Sequence, residues 1–286
     1  MSNYILKIKC KDKPGIISTV SNFLFKNNFN ILESSQFRDT RNNSFFMRVN
    51  FKGIDNLKNH TQINQLKKKF LRISNKFKMN FSFFDMNKKQ NILIMVSKFG
   101  HCLNHILYQW KTNSLNVNIP CVISNHTNMQ EITEQYGISY IHMPITKKNK
   151  HIKEKELLLL IKKFKIDAIV LARYMQVLSP NICRKLKGQI INIHHSFLPS
   201  FKGARPYQQA YIKGVKIIGA TAHYVTDKLD EGQIIEQDVG RVNHTKSLDD
   251  FVSMGRDIEN IVLMRAIKWH IEHRVIINDN STIVFN

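Results

Sequence analysis

Acidic residues and paired cysteines are both in short supply in this sequence. Only 21 of the 286 residues are Asp or Glu, against 43 Lys and Arg, which gives a formal net charge of +22. Four cysteines (Cys10, Cys102, Cys121 and Cys183) are scattered along the chain without a CxxC pair. That spacing argues against a disulfide framework and against a zinc site. We therefore expect a protein of the reducing cytoplasm that holds no metal.

Long apolar runs are also missing. The longest, such as residues 92–96 and 168–172, have the length of a strand and are too short to cross a bilayer. The first residues lack a charged segment followed by an apolar one, so no secretory signal is expected. A chain of 286 residues with 43% hydrophobic content is long for one globular core and comfortable for two domains. No membrane partner is expected.

The excess of positive charge raises the question of nucleic-acid binding, because basic surfaces neutralise phosphates. However, the lysines are spread along the chain among Asn, Ile and Phe, the amino acids of AT-rich codons. No zinc-finger or RNP motif accompanies them. Compositional drift is the favoured interpretation, with mild steering of a polyanionic substrate left open. RNA binding stays a distant alternative, and no nucleic-acid partner is expected.

The N-terminal third alternates strand and helix patterns in the order β-α-β-β-α-β. Strands are predicted at 4–10, 30–38, 44–51 and 78–84, and helices from Ile16 and over 62–73. In the first strand-to-helix turn, Asp12 is the predicted cap and Pro14 suits the first helical turn. This order predicts a ferredoxin-like domain over residues 1–84.

The same segment, with its DKPGI loop, resembles the ACT domain, a small amino-acid-sensing module. The resemblance implies two properties, an amino-acid effector and self-association into a homodimer or homotetramer. A dimerisation module without any ligand is the alternative interpretation.

After a polar linker at residues 85–90, the pattern changes to buried strands that alternate with helices. Strands are predicted at 92–96, 117–124, 167–172 and 189–194, and helices after SKFG and over 150–164. Such alternation predicts a Rossmann-like, mostly parallel sheet over residues 91–286, so the chain is of the α/β class. Ligands of such sheets bind beyond the carboxyl ends of the strands, where both candidate segments below are expected.

The segment INIHHS ends one of these strands with an amide and two imidazoles. Because side chains alternate along a strand, Asn192 and His194 should share one face and His195 the other. Asn192 can donate a hydrogen bond to a developing oxyanion, and His194 can donate one or carry a proton. A buried, structurally satisfied histidine is the plainer interpretation of His194 taken alone.

A second segment, GATAHYVTDKLDEG, places a histidine in a strand and carboxylates in the loop that follows. His223 precedes Asp227, Asp230 and Glu231, and Gly232 closes the loop. A carboxylate beside an imidazole can orient it or activate water as a general base. A solvated acidic turn is the plainer interpretation of any one of these residues.

Together the two segments are similar to the folate-dependent formyltransferase family over about residues 90–285. Asp230 lies thirty-six positions after His194, which places Asn192, His194 and Asp230 on the catalytic triad of that family. His223 matches a further family histidine beside the triad and is expected to contact substrate. The resemblance implies direct hydrolysis or transfer without metal, cofactor or covalent intermediate, folate being the substrate.

The resemblance also implies where the folate ring binds. Residues 173–178 correspond to the pterin-facing loop, with backbone groups of Gln176 and Leu178 and the loop 226–230, including Asp227, as the expected contacts. Plain core packing is the alternative for Leu178. For the glutamate tail of the folate, Lys98 and Lys202 are candidates, although the KGARP turn at 202–206 is more simply a structural turn.

The loop after the first buried strand separates the members of the family. Transferases that act on glycinamide ribonucleotide have a small-residue GxGSN-type loop that cradles phosphate. Here the loop reads SKFGHCLNH, in which Phe99, His101 and Cys102 make a poor cradle. Cys102 has no evident catalytic partner and is expected to line the pocket.

An N-terminal ACT-like domain also points away from those transferases. Along nearly its whole length, the chain resembles the formyltetrahydrofolate deformylases. That resemblance implies a hydrolase of a linear amide C–N bond that converts 10-formyltetrahydrofolate to formate and tetrahydrofolate, supplies formate for purine biosynthesis and balances the one-carbon pool. Formyl transfer to an amine such as glycinamide ribonucleotide is the alternative. A non-catalytic regulatory protein is a third, which the intact triad disfavours.

Overall fold

A computed structural model describes residues 3–54, 60–199 and 206–286 of the chain. The chain divides into two compact units. The first comprises Met1–Lys88, Glu272–Ile276 and Ile283–Asn286, and the second comprises Lys89–Ile271 and Ile277–Thr282. The sequence prediction placed all of 91–286 in the catalytic domain, whereas two short segments near the end of the chain group with the first unit. The predicted linker 85–90 brackets the division after Lys88.

The first unit has the βαββαβ order expected from the sequence. Its elements are β1 (Asn3–Lys11), α1 (Ile16–Lys26), β2 (Phe29–Asp39), β3 (Ser44–Gly53), α2 (His60–Phe77) and β4 (Asn80–Asp85). They form an antiparallel sheet with strand order β2-β3-β1-β4. Side chains of both helices pack on one face of this sheet, where Leu24 and Phe70 are fully buried.

The start of α1 differs from the sequence prediction. Gly15, with φ of 86°, is the residue that precedes the first helical turn, and no side chain caps it. Asp12 instead pairs with Arg38 at 2.9 Å, and Pro14 lies before the helix. The prediction of Asp12 as the cap is therefore wrong, because a left-handed glycine makes the turn and leaves the carboxylate free to reach a neighbouring strand.

The other face of the sheet carries the last residues of the chain. Phe46 of β3 is fully buried in a cluster with Ile276 and Phe285. Lys7 of β1 donates a hydrogen bond of 2.9 Å to the carbonyl of Val275. The C-terminal tail thus covers a sheet face that α1 and α2 leave open.

The second unit is a helix-flanked sheet. Its elements are β5 (Gln90–Val96), α3 (His101–Lys111), β6 (Val117–Asn118), β7 (Cys121–Ser124), α4 (Gln130–Gln135), β8 (Ser139–His142), α5 (Lys150–Lys163), β9 (Ala168–Leu171), α6 (Pro180–Lys185), β10 (Ile190–His194), α7 (Pro206–Ile212), β11 (Ile217–Tyr224), β12 (Ile234–Arg241) and α8 (Leu248–Ile271). A hairpin, β13 (Val275–Asn278) and β14 (Ser281–Val284), follows.

The sheet of this unit has the strand order β12-β11-β10-β9-β5-β7-β8. The short strand β6 lies outside this order and pairs with β5. The strands from β10 to β8 are parallel, and β11 and β12 are antiparallel. The expectation of a mostly parallel sheet is confirmed. The order reverses between β5 and β9, a switch point whose carboxyl-end crevice is the usual ligand site of such sheets.

Two predictions about this unit need correction. The strand predicted over 117–124 is two short strands, because Pro120 interrupts it and cannot donate to a ladder. β11 runs antiparallel to β10, with Asn192 opposite His223, so the loop after β11 begins beside the start of β10 and not beyond its end. No helix in the described parts of the chain is long and apolar enough to cross a membrane.

Candidate active site

The strand β10 ends in a cavity of about 310 Å³. Ile190, Ile191 and Ile193 anchor the strand in the sheet, where each is buried. Asn192 and His194 of the same strand line the cavity. The residues of the loop after β11 line its opposite wall, so this loop curls over the face of β10 that carries the amide and the imidazole.

Asp230 joins the two segments. Its Oδ2 lies 3.3 Å from Nδ1 of His194, and its Oδ1 lies 3.7 Å from Nε2 of His223. Nε2 of His223 also lies 3.2 Å from the amide nitrogen of Asn192. The structure therefore brings the three predicted catalytic residues and His223 into one contiguous polar group.

The environment of Asp230 favours the carboxylate. A hydrogen bond from His194 holds the pKa of Asp230 well below its usual range, in spite of partial burial. Nε2 of His194, the nitrogen away from Asp230, is buried and has no hydrogen-bond partner among the described residues. An ionised carboxylate thus backs an imidazole whose second nitrogen is left for a ligand.

Two unusual backbone positions allow the loop 225–233 to place Asp230 beside His194. Asp230 itself has a φ of 54°, in the left-handed region. Two residues later, a Cβ built on Gly232 would lie 1.6 Å from the backbone oxygen of Tyr224. Only glycine fits there, because the loop must pass this close to β11 to return the carboxylate to His194.

His223 fixes the orientation of Asn192. Its Nδ1 lies 2.9 Å from the carbonyl of Tyr224, and a carbonyl can only accept, so Nδ1 carries the proton. In the neutral ring Nε2 is then an acceptor for one N–H of Asn192. The second N–H of that amide stays available to an oxygen in the cavity.

The predicted substrate-binding residues all border the same cavity. Gln176, Leu178, Asp227 and His223 are among its lining residues. Leu178 is also part of the hydrophobic core on that side of the sheet, so packing and lining coexist in one side chain.

Of the two lysines predicted to bind the glutamate tail of the folate, only Lys98 lies within the described residues. Lys98 is exposed, and the cavity lining contains Lys228 instead. Lys202 and residues 203–205 of the KGARP turn lie outside the described residues. Pro206, the last residue of that turn, is the buried first residue of α7.

His195 does not follow the sequence prediction. It was expected on the face of β10 opposite His194, but it borders the same cavity and also a second, apolar cavity of about 380 Å³ beside α7. The rings of His194 and His195 are 5.3 Å apart. Strict alternation stops applying here because β10 ends at His194 and the chain turns.

Sequence reasoning missed a group of buried charges at one side of the cavity. Glu259 of α8 is 1% exposed, and its carboxylate accepts hydrogen bonds from His101 Nε2 at 2.9 Å and from the Tyr207 hydroxyl at 2.7 Å. Arg173, which lines the cavity, lies 3.4 Å away as an ion-pair partner. We call these four residues the buried charge cluster. Glu259 looks in the sequence like any acidic residue of a long helix.

The loop between β5 and α3 agrees with its description as a poor phosphate cradle. A Cβ on Gly100, the residue before α3, would lie 2.1 Å from the sulfur of Met129, so a side chain already fills the space over this glycine.

Burial, and then the charge of Glu259, raise the pKa of the Cys102 thiol well above its usual value. Cys102 is therefore a neutral packing residue and not an activated nucleophile.

The chain matches known families over both units. Residues 90–267 match the family model described as formyl transferase, and residues 4–66 match the ACT domain model. The formyltetrahydrofolate deformylase of Bacillus subtilis is 45% identical over 98% of this chain and 93% of that protein. These likenesses confirm the expectation of an ACT domain joined to a formyltransferase-like domain.

Solved structures give the same picture in three dimensions. A formyltetrahydrofolate deformylase from Pseudomonas syringae has a TM-score of 0.95 at 42% identity, covering 100% of this chain and 95% of that one. A phosphoribosylglycinamide formyltransferase from Anaplasma phagocytophilum has a TM-score of 0.64 at 29% identity, covering 70% and 96%. The likeness to the deformylase spans both units, whereas the likeness to the transferase spans part of the chain.

Proposed function

The chain belongs to the formyltetrahydrofolate deformylase family, and on that premise we propose that its second unit hydrolyses 10-formyltetrahydrofolate to formate and tetrahydrofolate. The observation that carries the proposal is the contact of 3.3 Å between Asp230 and His194 at a cavity large enough for a flat ring. Such a contact between an ionised carboxylate and an imidazole is what acid–base chemistry on an acyl group requires. It also disfavours a non-catalytic regulatory role.

The reaction adds water to the formyl carbon and breaks its bond to N10 of the folate. We propose that Asp230 orients the water and stabilises positive charge on His194, because a carboxylate with so low a pKa is a weak base. The water proton reaches N10 through His194 as the C–N bond breaks. Formate leaves, and its acidic proton goes to solvent.

The developing oxyanion needs donors that are already in place. The free N–H of Asn192 and Nε2–H of a protonated His194 supply them in this proposal. Because His223 accepts the other N–H of Asn192, the amide is oriented before substrate binds. Removing a single donor of this kind typically costs on the order of 100-fold in turnover.

The folate ring is proposed to lie between the loop 173–178 and the loop 226–230. Backbone groups of Gln176 and Leu178 and the side chain of Asp227 supply polar edges, and exposed Met175 and Leu229 supply apolar surface. No cofactor takes part in this scheme, since folate is itself the substrate.

Water is the proposed acceptor because the loop before α3 has no room for a phosphate and because Arg173 in the cavity wall is already neutralised. Met129 fills the space over Gly100, and Glu259 neutralises Arg173. Transfer to an amine such as glycinamide ribonucleotide remains the second candidate, favoured only by the shared fold of the transferases.

The test is to supply 10-formyltetrahydrofolate without any amine and to measure formate. Steady release is expected. No release would refute the deformylase proposal, and release or transfer only after adding glycinamide ribonucleotide would favour the transferase.

The cellular setting is proposed on coarser grounds. All four cysteines are free and buried, which suits a reducing cytoplasm. There the enzyme would supply formate for purine biosynthesis and balance the one-carbon pool. In a strain that lacks this protein, added formate is expected to restore growth without added purines.

An amino-acid effector and self-association are proposed for the first unit, on its match to the ACT domain model. Its sheet has two edge strands, β2 and β4, and an edge strand can pair with a second copy. Formate release measured with and without each amino acid tests the effector. Sedimentation tests the homodimer or homotetramer, which a monomer would refute.

A further inference from the structure

The buried charge cluster sits where the catalytic cavity meets α3, α7 and α8. Each member comes from a different part of the second unit: His101 from the first turn of α3, Arg173 from the loop after β9, Tyr207 from α7 and Glu259 from α8. Arg173 lines the cavity that also contains His194 and Asp230. Arg173 therefore connects the cluster to the wall of the catalytic pocket, although none of the acid–base steps uses it.

Arg173 occupies a backbone position that suits glycine better than arginine. Its φ is 63°, in the left-handed region that bulky residues rarely adopt. Its side chain is only 11% exposed and points to Glu259. Strained positions of this kind persist when the surroundings require the side chain that occupies them, and they concentrate at functional sites.

A second close approach builds the cluster from the helix side. A Cβ on Gly255 of α8 would lie 2.1 Å from the ring of Tyr207, so the glycine lets the tyrosine lie against α8. One turn later, Glu259 accepts the tyrosine hydroxyl. The tyrosine pKa is raised, first by burial and then by the charge of Glu259, so the hydroxyl stays a donor.

Glu259 supplies the one negative charge among these residues. Burial opposes its ionisation, but the hydrogen bond from His101 and the charge of Arg173 outweigh burial and lower the pKa. The ion pair with Arg173 lacks hydrogen-bond geometry, since Nε of Arg173 has no hydrogen-bond partner. The guanidinium is thus neutralised by charge while its Nε donor remains unused, the state in which an added anion would bind if the carboxylate were removed.

His101, Cys102 and Glu259 also bring ligand-type atoms within 4.8 Å of one another. A cation in that place would face the guanidinium of Arg173, and the Cys102 thiol holds its proton. Arg173 therefore supplies the positive charge that the carboxylate needs.

We propose that Glu259 determines acceptor specificity: its carboxylate neutralises Arg173 in the pocket wall, so that an anionic amine finds no free cation at this wall and water alone reaches the formyl carbon. This inference deepens the proposed hydrolysis and rests on it. Glu259 touches neither substrate nor water in the scheme, so it is a specificity-determining residue and not a catalytic one.

The test replaces Glu259 with Gln, which keeps the shape of the side chain and removes its charge. Inorganic phosphate serves as the probe, in two measurements: inhibition of formate release and direct binding by calorimetry. The wild-type enzyme is expected to be insensitive to phosphate. Glu259→Gln should bind phosphate at least 10-fold more tightly, and adding Arg173→Gly should abolish that gain.

Asp257→Asn is the matched control, because Asp257 is an exposed carboxylate of the same helix and its loss changes the net charge equally. A folded Glu259→Gln enzyme with the phosphate response of the wild type and of Asp257→Asn would overturn the inference. Wild-type formate release in the same assay tests the proposed function separately.

The double variant Arg173→Gly/Glu259→Gln covers the case in which the single variant does not fold, because it leaves no uncompensated charge buried. With the guanidinium removed as well, the double variant is expected to be as insensitive to phosphate as the wild type. Phosphate binding by the double variant at least 10-fold tighter than by the wild type would overturn the inference, because Arg173 could not account for it.

Discussion

The carboxylate of Asp230 lies 3.3 Å from Nδ1 of His194, although thirty-six positions separate the two residues in the chain. The contact exists because β11 pairs antiparallel with β10 and its following loop turns back over the strand. The hydrogen bond from His194 favours the ionised form of Asp230. The first predictions concern this pair and the loop that makes it.

Replacing Asp230 with Asn should lower turnover by at least about 100-fold, because the amide neither carries charge nor stabilises a protonated His194. Formate release under saturating folate measures it. Asp249→Asn, an exposed carboxylate at the start of α8, should release formate at the wild-type rate. Unchanged release by Asp230→Asn would remove Asp230 from the mechanism.

The stability that Asp230 confers should depend on pH. Its pKa is lowered in the folded protein by the hydrogen bond from His194, so the unfolded chain binds its proton more readily. This stabilisation is complete above the unfolded pKa of about 4. It is lost as the pH falls through the lower, folded-state pKa.

Urea unfolding of the wild type and Asp230→Asn tests that dependence. We expect a difference of about 2 kcal/mol in the free energy of unfolding, steady between pH 7 and pH 5 and smaller at pH 3. A difference that stays the same down to pH 3 would contradict the assignment.

Gly232→Ala should impair catalysis more than folding. Its new methyl group would overlap the backbone oxygen of Tyr224, so the loop must move and Asp230 must leave His194. We expect formate release to fall by at least 100-fold, since small misplacements of reacting groups cost that much. Gly137→Ala is the comparison, because Gly137 also has positive φ but has open space around it; similar losses in both variants would argue against a steric cause.

His223→Ala should lower turnover about 10- to 100-fold with little change in KM, because Asn192 loses the acceptor that orients it. His223→Gln keeps an oxygen that can accept the same N–H and should recover part of the loss. Steady-state kinetics of the two variants distinguish this role from direct folate binding, which would raise KM in both.

Phe285→Ala should destabilise the first unit. The ring is 6% exposed and packs with Phe46 and Ile276, so its loss should cost about 3 kcal/mol. Thermal unfolding followed by circular dichroism measures the effect. Phe25→Ala, at an exposed helix position of the same unit, should change the melting temperature little, and equal shifts in both variants would contradict the packing role.

The sequence predicts the order of elements well where periodicity is strong. The βαββαβ order and the parallel strands were readable because apolar residues repeat at strand or helix spacing. Asn192, His194 and Asp230 were readable as a set only through the resemblance to a family. Taken singly, each has a common structural explanation.

The features that escaped prediction depend on long-range geometry. His195 faces the cavity because β10 ends one residue earlier, which no alternation rule reveals. Glu259 acquires its role only when α8 packs beside the loop after β9, and Gly255 looks like an ordinary helix defect until Tyr207 lies on it. The return of residues 272–276 and 283–286 to the first unit leaves no periodic signal in the sequence.

That return sets an order of events during protein synthesis. A domain at the start of a chain usually folds while the ribosome is still working, but here the buried neighbours of Phe46 are Ile276 and Phe285, which follow the whole catalytic sheet in the chain. The N-terminal domain is therefore completed only after the catalytic sheet has been synthesised. A nascent chain that stops after α8 carries every proposed catalytic side chain and an unfinished N-terminal domain.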